Sequence, residues 1–274
     1  MENTLCKTLG MDRPILSAPI GSVAGPDLVA AVCNAGGYGV IPLWGGAPEA
    51  VAEGIGAVRS RTGGNFAVNL NMSFPWEDHL QACIDARVHA ISLFWGVTPD
   101  AIARAAAAGV KVMVTVASAE EALEAQSAGA DVIVGQGWEA GGHVWGMVAT
   151  LALVPSVVYA VDVPFVAAGG IADGRGMAAA LMLGAQGVWI GTRFLASQEA
   201  DIHPDYRERI LAASATQAEW YADLYDLAWE NAPHRALGNA TSELWRQSGE
   251  ATMGNRPGEE DELGQATDGS PILR

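Results

Sequence analysis

KVMVTVASAEEALEAQSAGADVIVGQ, residues 111–136, contains a strand, a helix and a second strand in one pass. KVMVTV and DVIVGQ are short apolar runs without the alternation of a half-exposed strand, as expected of parallel strands buried on both faces. Between them, AEEALEAQSAG is an alanine-rich helical stretch that follows Ser118 and closes at Gly129. Outward from this segment the same unit recurs. Strand-like runs stand at PILSAP (14–19), GVIPL (39–43), FAVNLN (66–71), AISLFW (90–95), PFVAAG (164–169) and GVWIGT (187–192), giving eight with the two already quoted. Helical stretches such as DLVAAVCNAGG, PDAIARAAAAG and GRGMAAALMLGA separate them. Eight strand–helix units within about 200 residues fit a (β/α)8 TIM barrel better than a doubly wound sheet, which uses fewer strands.

The chain has 274 residues, and a barrel of this kind commonly uses about 250 as one domain. We expect residues 1–203 to form the barrel and 204–254 a helical appendage packed on it, with helices around YRERILAA, ATQAEWYADLYDLAWENA and TSELWRQ. Residues 255–274, which include GEEDELGQATDG, are expected to form an acidic tail or loop. The formal charge of −16 repels phosphate backbones and makes nucleic acid a poor partner. No apolar run approaches the roughly 20 residues that span a bilayer, and MENTLCKTLGMDRP does not read as a secretion signal. A soluble cytoplasmic protein without membrane contact is therefore expected. Cys6, Cys33 and Cys83 fit no metal-ligand spacing and read as small hydrophobes.

In a TIM barrel the chemistry sits at the C-terminal ends of the strands. Of the five histidines only His143, in GQGWEAGGHVWG (135–146), falls in such a loop, where an imidazole can act as a general base at neutral pH. Glu139 and His143 are four residues apart, but Gly141 and Gly142 break any helix between them and no third ligand is near, so no metal is expected. The only lysines are Lys7 and Lys111, and Lys111 opens its strand at the opposite end, which disfavours a Schiff-base aldolase. AAGGIADGRG (167–176) and WIGTRF (189–194) follow the seventh and eighth runs, where barrels build phosphate sites from backbone N–H groups. Gly169, Gly170 and Gly191 would let the backbone approach a phosphate, and Thr192 adds a hydroxyl; the same glycines also suit tight turns. Asn69, Asn71 and Gln136 can serve a ligand or satisfy loop backbone. Trp44, Trp76, Trp95, Trp138, Trp145 and Trp189 fall at or after strand ends, suited either to walling a flat ligand or to packing loops.

Taken together, APIGSVAGP (18–26), FAVNLN, GQGWEAGGH, AAGGIADGRG and GAQGVWIGTRF resemble the nitronate monooxygenase family over roughly residues 10–200. The resemblance implies a barrel carrying non-covalent FMN that oxidises alkyl nitronates with O2 to a carbonyl compound and nitrite. On that basis Gly169, Gly170, Gly191 and Thr192 hold the phosphate, with Trp189 and Ile190 beside them. Ala18, Pro19 and Ile20 line the isoalloxazine, Asn69, Gln136 and Gly141 contact the flavin, and His143 matches the catalytic histidine. The expected partners are a small substrate, a nitronate or similar anion, and O2. A homodimer is a further expectation, with no residues assigned to it.

The sequence departs from that pattern in three places. Trp145 stands where relatives often carry a polar or basic residue, implying a smaller and more apolar pocket. Thr115 stands where some members place a lysine. The sequence ends at PILR where many relatives continue, so weaker FMN retention is expected. Two alternatives stay open: an FMN-dependent NAD(P)H:quinone or enoyl reductase on the same barrel, and a non-catalytic barrel that binds FMN or another phosphate ligand.

Overall fold

The computed structural model describes residues 3–225, 229, 231–259, 261–265 and 271–273. The chain opens with α1 (Thr4–Leu9), capped by the Asn3 side chain at one end and by left-handed Gly10 at the other. Strand and helix then alternate as β1 (Ile15–Ser17), α2 (Pro26–Asn34), β2 (Gly39–Pro42), α3 (Glu49–Arg59), β3 (Phe66–Asn71) and α4 (Glu77–Asp85). The alternation continues with β4 (Ala90–Phe94), α5 (Pro99–Ala107), β5 (Lys111–Val116), α6 (Ala119–Ala128) and β6 (Val132–Gln136). After the two-residue β7 (Gly142–His143) come α7 (Thr150–Ala160), β8 (Phe165–Ala168), α8 (Gly174–Met182), β9 (Gly187–Ile190) and α9 (Thr192–Leu195). All eight sequence runs contain the strands expected of them.

The eight long strands pair in parallel in the order β1-β9-β8-β6-β5-β4-β3-β2. A parallel bridge between Leu16 and Tyr38 joins the two ends, with Ser17 N donating to Tyr38 O at 3.0 Å and Tyr38 N to Ile15 O at 3.0 Å. The sheet is thus closed into a (β/α)8 barrel. Residues alternate between two cores, as the strand period of two demands. Leu16, Val40, Ala67, Ala90, Met113, Val134, Val166 and Trp189 fill the interior, while Ile41, Val68, Ile91, Val114, Ile133 and Val188 pack against the helices. Helix α1 presses Leu5 and Leu9, both fully buried, into the N-terminal end of the barrel. Gly187 leaves room for that plug, since a Cβ there would stand 2.5 Å from Leu5 Cδ2.

Beyond the barrel, α10 (Pro204–Ala212) and α11 (Ala240–Gln247) form where helices are expected. The stretch between them is a correction. In place of a helix over 215–232, Ala218–Tyr221 is a strand, β10, antiparallel to β11 (His234–Leu237), which in turn pairs with β7. Helix formers dominate that stretch, but Trp220 and Tyr221 suit a pleated surface and β7 offers an open edge, so tertiary pairing overrides local propensity. Residues 226–228 and 230 of the expected helix lie outside the described residues. The expected C-terminal tail contains β12 (Glu262–Gln265) paired antiparallel with β13 (Pro271–Leu273). Among the described residues, no helix is long and apolar enough to cross a membrane.

Candidate active site

Four loops meet at the C-terminal end of the barrel, and glycines decide how closely. Gly169 and Gly170, directly after β8, have φ of +107° and +69°, which only glycine adopts without strain. A Cβ on Gly169 would stand 2.8 Å from Thr150 Oγ1 and 2.9 Å from Gly137 O, so the β8 loop rests on the loop after β6. A Cβ on Gly141 would lie 3.0 Å from Thr192 Oγ1, and one on Gly191 would lie 3.5 Å from Ala18 Cβ. The segments after β1, β6, β8 and β9 are therefore held together by missing side chains. Below them, Asp173 caps α8 by accepting from Arg175 N and Gly176 N, and pairs with the Arg175 guanidinium at 2.6 Å. That side-chain bond, followed by the two amide bonds, lowers the Asp173 carboxyl to about 2.

Gln136 closes β6 and turns its carboxamide toward β7, where Nε2 donates to His143 O at 3.0 Å. Gln136 Oε1 is buried and accepts nothing from the described residues, and Asn71 Nδ2 is likewise buried without a partner among them. Such atoms are rare in folded proteins and mark places where a ligand or water completes the bonding. Asn69 differs: its Nδ2 donates to Ser92 O at 3.1 Å on the neighbouring strand. The side chain of Ile190 packs in the outer layer against the helices, so its ligand contacts are limited to backbone, whereas Trp189 points into the barrel interior.

His143 is fixed through its backbone, opposite His234 in the β7–β11 ladder. Its imidazole lies 4.1 Å from the Trp229 ring, 4.6 Å from His234 and 6.0 Å from Trp95, measured between centroids. A second tier of aromatic rings stands behind these. Trp95 meets Trp145 at 5.1 Å and Trp229 at 4.6 Å, Phe94 meets Trp145 at 5.3 Å, and Phe74 meets Trp229 at 5.4 Å and stacks on Trp44 at 5.2 Å. Trp145 also donates to Glu121 Oε1 at 3.4 Å. Of the six strand-end tryptophans, Trp44, Trp95 and Trp145 join this wall. Trp138 instead packs on Trp220 and under the Arg235 guanidinium, and Trp76 lies against Arg104.

Trp229, His234 and Arg235 escaped the sequence reading. Arg235 donates to the carbonyls of Ala140 and Trp138 at 3.1 and 2.9 Å, bracing the loop that carries Gly141. No motif marks these residues, and His234 and Arg235 reach the mouth through the β7–β11 pairing, for which the local sequence carries no signal. A cavity of about 380 Å3 opens at the other end of the barrel, lined by Arg59, Thr62, Asn65, Arg87 and His89 among others. It shares no residue with the strand-end cluster. No group of three or more His, Cys, Asp or Glu side chains among the described residues is placed to hold a metal ion.

Comparison with known proteins gives this arrangement relatives. A family model described as nitronate monooxygenase matches residues 2–80 and 68–262. The chain is 38% identical over 213 residues to (3aS,4S,5R,7aS)-5-hydroxy-7a-methyl-1-oxo-octahydro-1H-indene-4-carboxyl-CoA dehydrogenase of Rhodococcus jostii, a match covering 77% of this chain and 60% of that one. It is 32% identical to a nitronate monooxygenase of Pseudomonas aeruginosa, covering 88% of this chain and 83% of the relative. The solved structure of FabK from Thermotoga maritima superposes with a TM-score of 0.84 at 36% identity, over 91% of this chain and 80% of that one. A family model spanning most of the chain, a relative aligned over nearly all of it and a shared barrel place this chain in the nitronate monooxygenase family, among flavin-dependent oxidoreductases.

Proposed function

We propose that the chain binds FMN at the C-terminal end of its barrel and oxidises alkyl nitronates with O2 to a carbonyl compound and nitrite. The observation that supports this is the convergence of Gly141, Gly169, Gly170, Gly191 and Thr192 near Gln136, whose Oε1 has no partner among the described residues, with His143 close by in sequence and space. The residues suit a flavin nucleotide. Arg175 is engaged by Asp173, so a phosphate would rest on the backbone N–H groups of Gly169, Gly170 and Gly191 and on the Thr192 hydroxyl. Gln136 commits Nε2 to His143 O, which leaves its oxygen to accept from a ring N–H. In this reading Ala18, Pro19, Ile20, Asn69 and Gly141 line the ring system, with Trp189 and Ile190 beside the phosphate. Bound FMN supplies the electron transfer.

His143 then takes the proton from the α-carbon of a neutral nitroalkane, or donates to the oxygens of a nitronate; either role needs the imidazole within about 3 Å of the reacting group. The rings of Trp229 and Trp95 cover it and keep water from competing. The test is anaerobic mixing of the FMN-loaded protein with ethylnitronate and, separately, with NADH or NADPH. Prompt bleaching of the flavin by nitronate is expected, and bleaching by the pyridine nucleotide alone sinks the proposal.

One observation favours a second reading. Rings crowd His143, and Arg235 on the adjoining strand is committed to backbone carbonyls rather than to the pocket. A wall of that kind suits a flat, neutral acceptor better than an anion, as in an NAD(P)H-dependent quinone or enoyl reductase. Bleaching by NADH or NADPH in the same experiment is its signature. Membership of a family of flavin-dependent oxidoreductases weighs against the non-catalytic alternative.

A further inference from the structure

Thr150 opens α7 and ties that helix to the loops after β6 and β8. The helix has no cap of its own, since Ala149 stands at its N-cap and its first turn carries no acidic residue. Glu139, in the loop after β6, supplies one, its Oε2 accepting from Thr150 N at 2.8 Å. Gly137 makes room for this approach, because a Cβ there would stand 2.0 Å from Thr150 Oγ1 and 2.6 Å from Thr150 N. The same loop reaches β8 directly, with Gly137 N donating to Ala168 O at 2.9 Å. The Thr150 hydroxyl lies 2.9 Å from Glu139 Oε2 and 3.0 Å from Gly169 O, and its single proton serves one acceptor at a time. Glu139 is exposed and already holds the Thr150 amide, and water can serve its oxygens further. Gly169 O receives no other donor from the described residues, so the hydroxyl proton is assigned to it.

A trans peptide is planar, and the carbonyl of one residue points opposite to the N–H of the next. A donor that holds the Gly169 carbonyl against the β6 loop therefore turns Gly170 N–H away from that loop. This N–H donates to no described residue. Gly169 and Gly170, at φ of +107° and +69°, have no side chains to hold that peptide plane, so its direction depends on an outside group. We propose that Thr150 is a positioning residue: its hydroxyl fixes the Gly169 carbonyl and thereby aims Gly170 N–H at the phosphate of FMN. The inference rests on the flavin reading above, in which the phosphate lies on backbone N–H groups. A hydrogen bond to a phosphate oxygen is charge-assisted and weakens steeply as the N–H turns out of line. Thr150 acts through Gly169 and Gly170, and its effect is confined to the phosphate end of the cofactor.

Titration of the full chain with FMN and, separately, with riboflavin, followed by flavin fluorescence, tests this. Riboflavin has the same ring system and ribityl chain and lacks the phosphate. Thr150→Val keeps the shape of the side chain and removes the hydroxyl. It should weaken FMN binding about tenfold or more and change riboflavin binding by less than about twofold, with the circular dichroism of the parent. Thr150→Ala, smaller and a better helix former, should act in the same direction and serves if the valine variant does not fold. Thr150→Ser keeps the hydroxyl and should keep the preference for FMN. A folded Thr150→Val or Thr150→Ala that retains the parent's preference, or that loses FMN and riboflavin affinity alike, overturns the proposal. A wild type that binds neither flavin sinks the flavin reading itself, before any variant is compared.

Discussion

The two ends of the barrel are made by the same eight strands and treat their polar groups in opposite ways. At the N-terminal end every notable group has a partner. Tyr38, fully buried, hydrogen-bonds His89 Nδ1 at 2.8 Å, and Lys111 Nζ donates to Asp131 Oδ1 at 2.7 Å while Asp131 Oδ2 accepts from Val112 N. Leu5 and Leu9 seal the space beneath. At the C-terminal end, Gln136 Oε1, Asn71 Nδ2 and Trp229 Nε1 are buried with no partner among the described residues, and glycines take the place of packing side chains. A buried polar atom left without a hydrogen bond costs about 1–3 kcal/mol, so the C-terminal end gives up stability that the N-terminal end keeps, as the proposed flavin site would require.

Substitutions at the two ends should separate these roles. The largest effect is expected from His143→Ala, which should lower turnover of a neutral nitroalkane about 10²- to 10⁴-fold with FMN affinity and melting temperature unchanged; steady-state kinetics and flavin titration decide it. Unchanged turnover removes His143 as the base. At the opposite end, Leu9→Ala should cost about 2–5 kcal/mol in urea unfolding and leave flavin affinity intact. Gly169→Ala forces a side chain into left-handed backbone and against Thr150 Oγ1, so flavin affinity should fall at least tenfold, at a stability cost of about 1–3 kcal/mol. The smallest effect should come from Tyr38→Phe, at about 0.5–1.5 kcal/mol.

The Tyr38–His89 pair also carries a pH dependence. Burial first, and then the Lys111 ammonium, hold the His89 imidazole below its ordinary 6.5, with Asp131 acting in the opposite direction. The unfolded chain therefore takes up its proton first as pH falls, and the folded state loses stability below 6.5 until the folded imidazole titrates. His89→Gln should flatten the stability profile in that window. A profile unchanged by the substitution places the acid sensitivity elsewhere.

The barrel was legible because its signal is local. KVMVTV and FAVNLN are mostly apolar and lack alternation because both faces of a parallel strand are buried, and an Ala-Gly or Gly-Ala pair after α2, α5, α6 and α8 marks where the chain turns back. That His143 and the glycine loops lie at the C-terminal end of the barrel was legible for a related reason: strand ends fix which loops stand there. Helix α1 was missed although Asn3 and Gly10 bracket it, because six residues are too few to show a period. Trp229 and His234 could not be read at all. Their place over His143 depends on an antiparallel pairing across about 90 residues, which no window of sequence contains.

That pairing has a consequence for how the family can diversify. Residues 222–233 join β10 to β11, and both strands are held in register, β11 by β7 as well as by β10. The connecting stretch can therefore exchange residues while the strand pairing holds the His143 backbone and the barrel strands in place. Trp229 sits within it. Divergence of substrate range among related chains is expected to be written there, as changes of loop length and of one aromatic position, while the glycine loops and β6 stay constant.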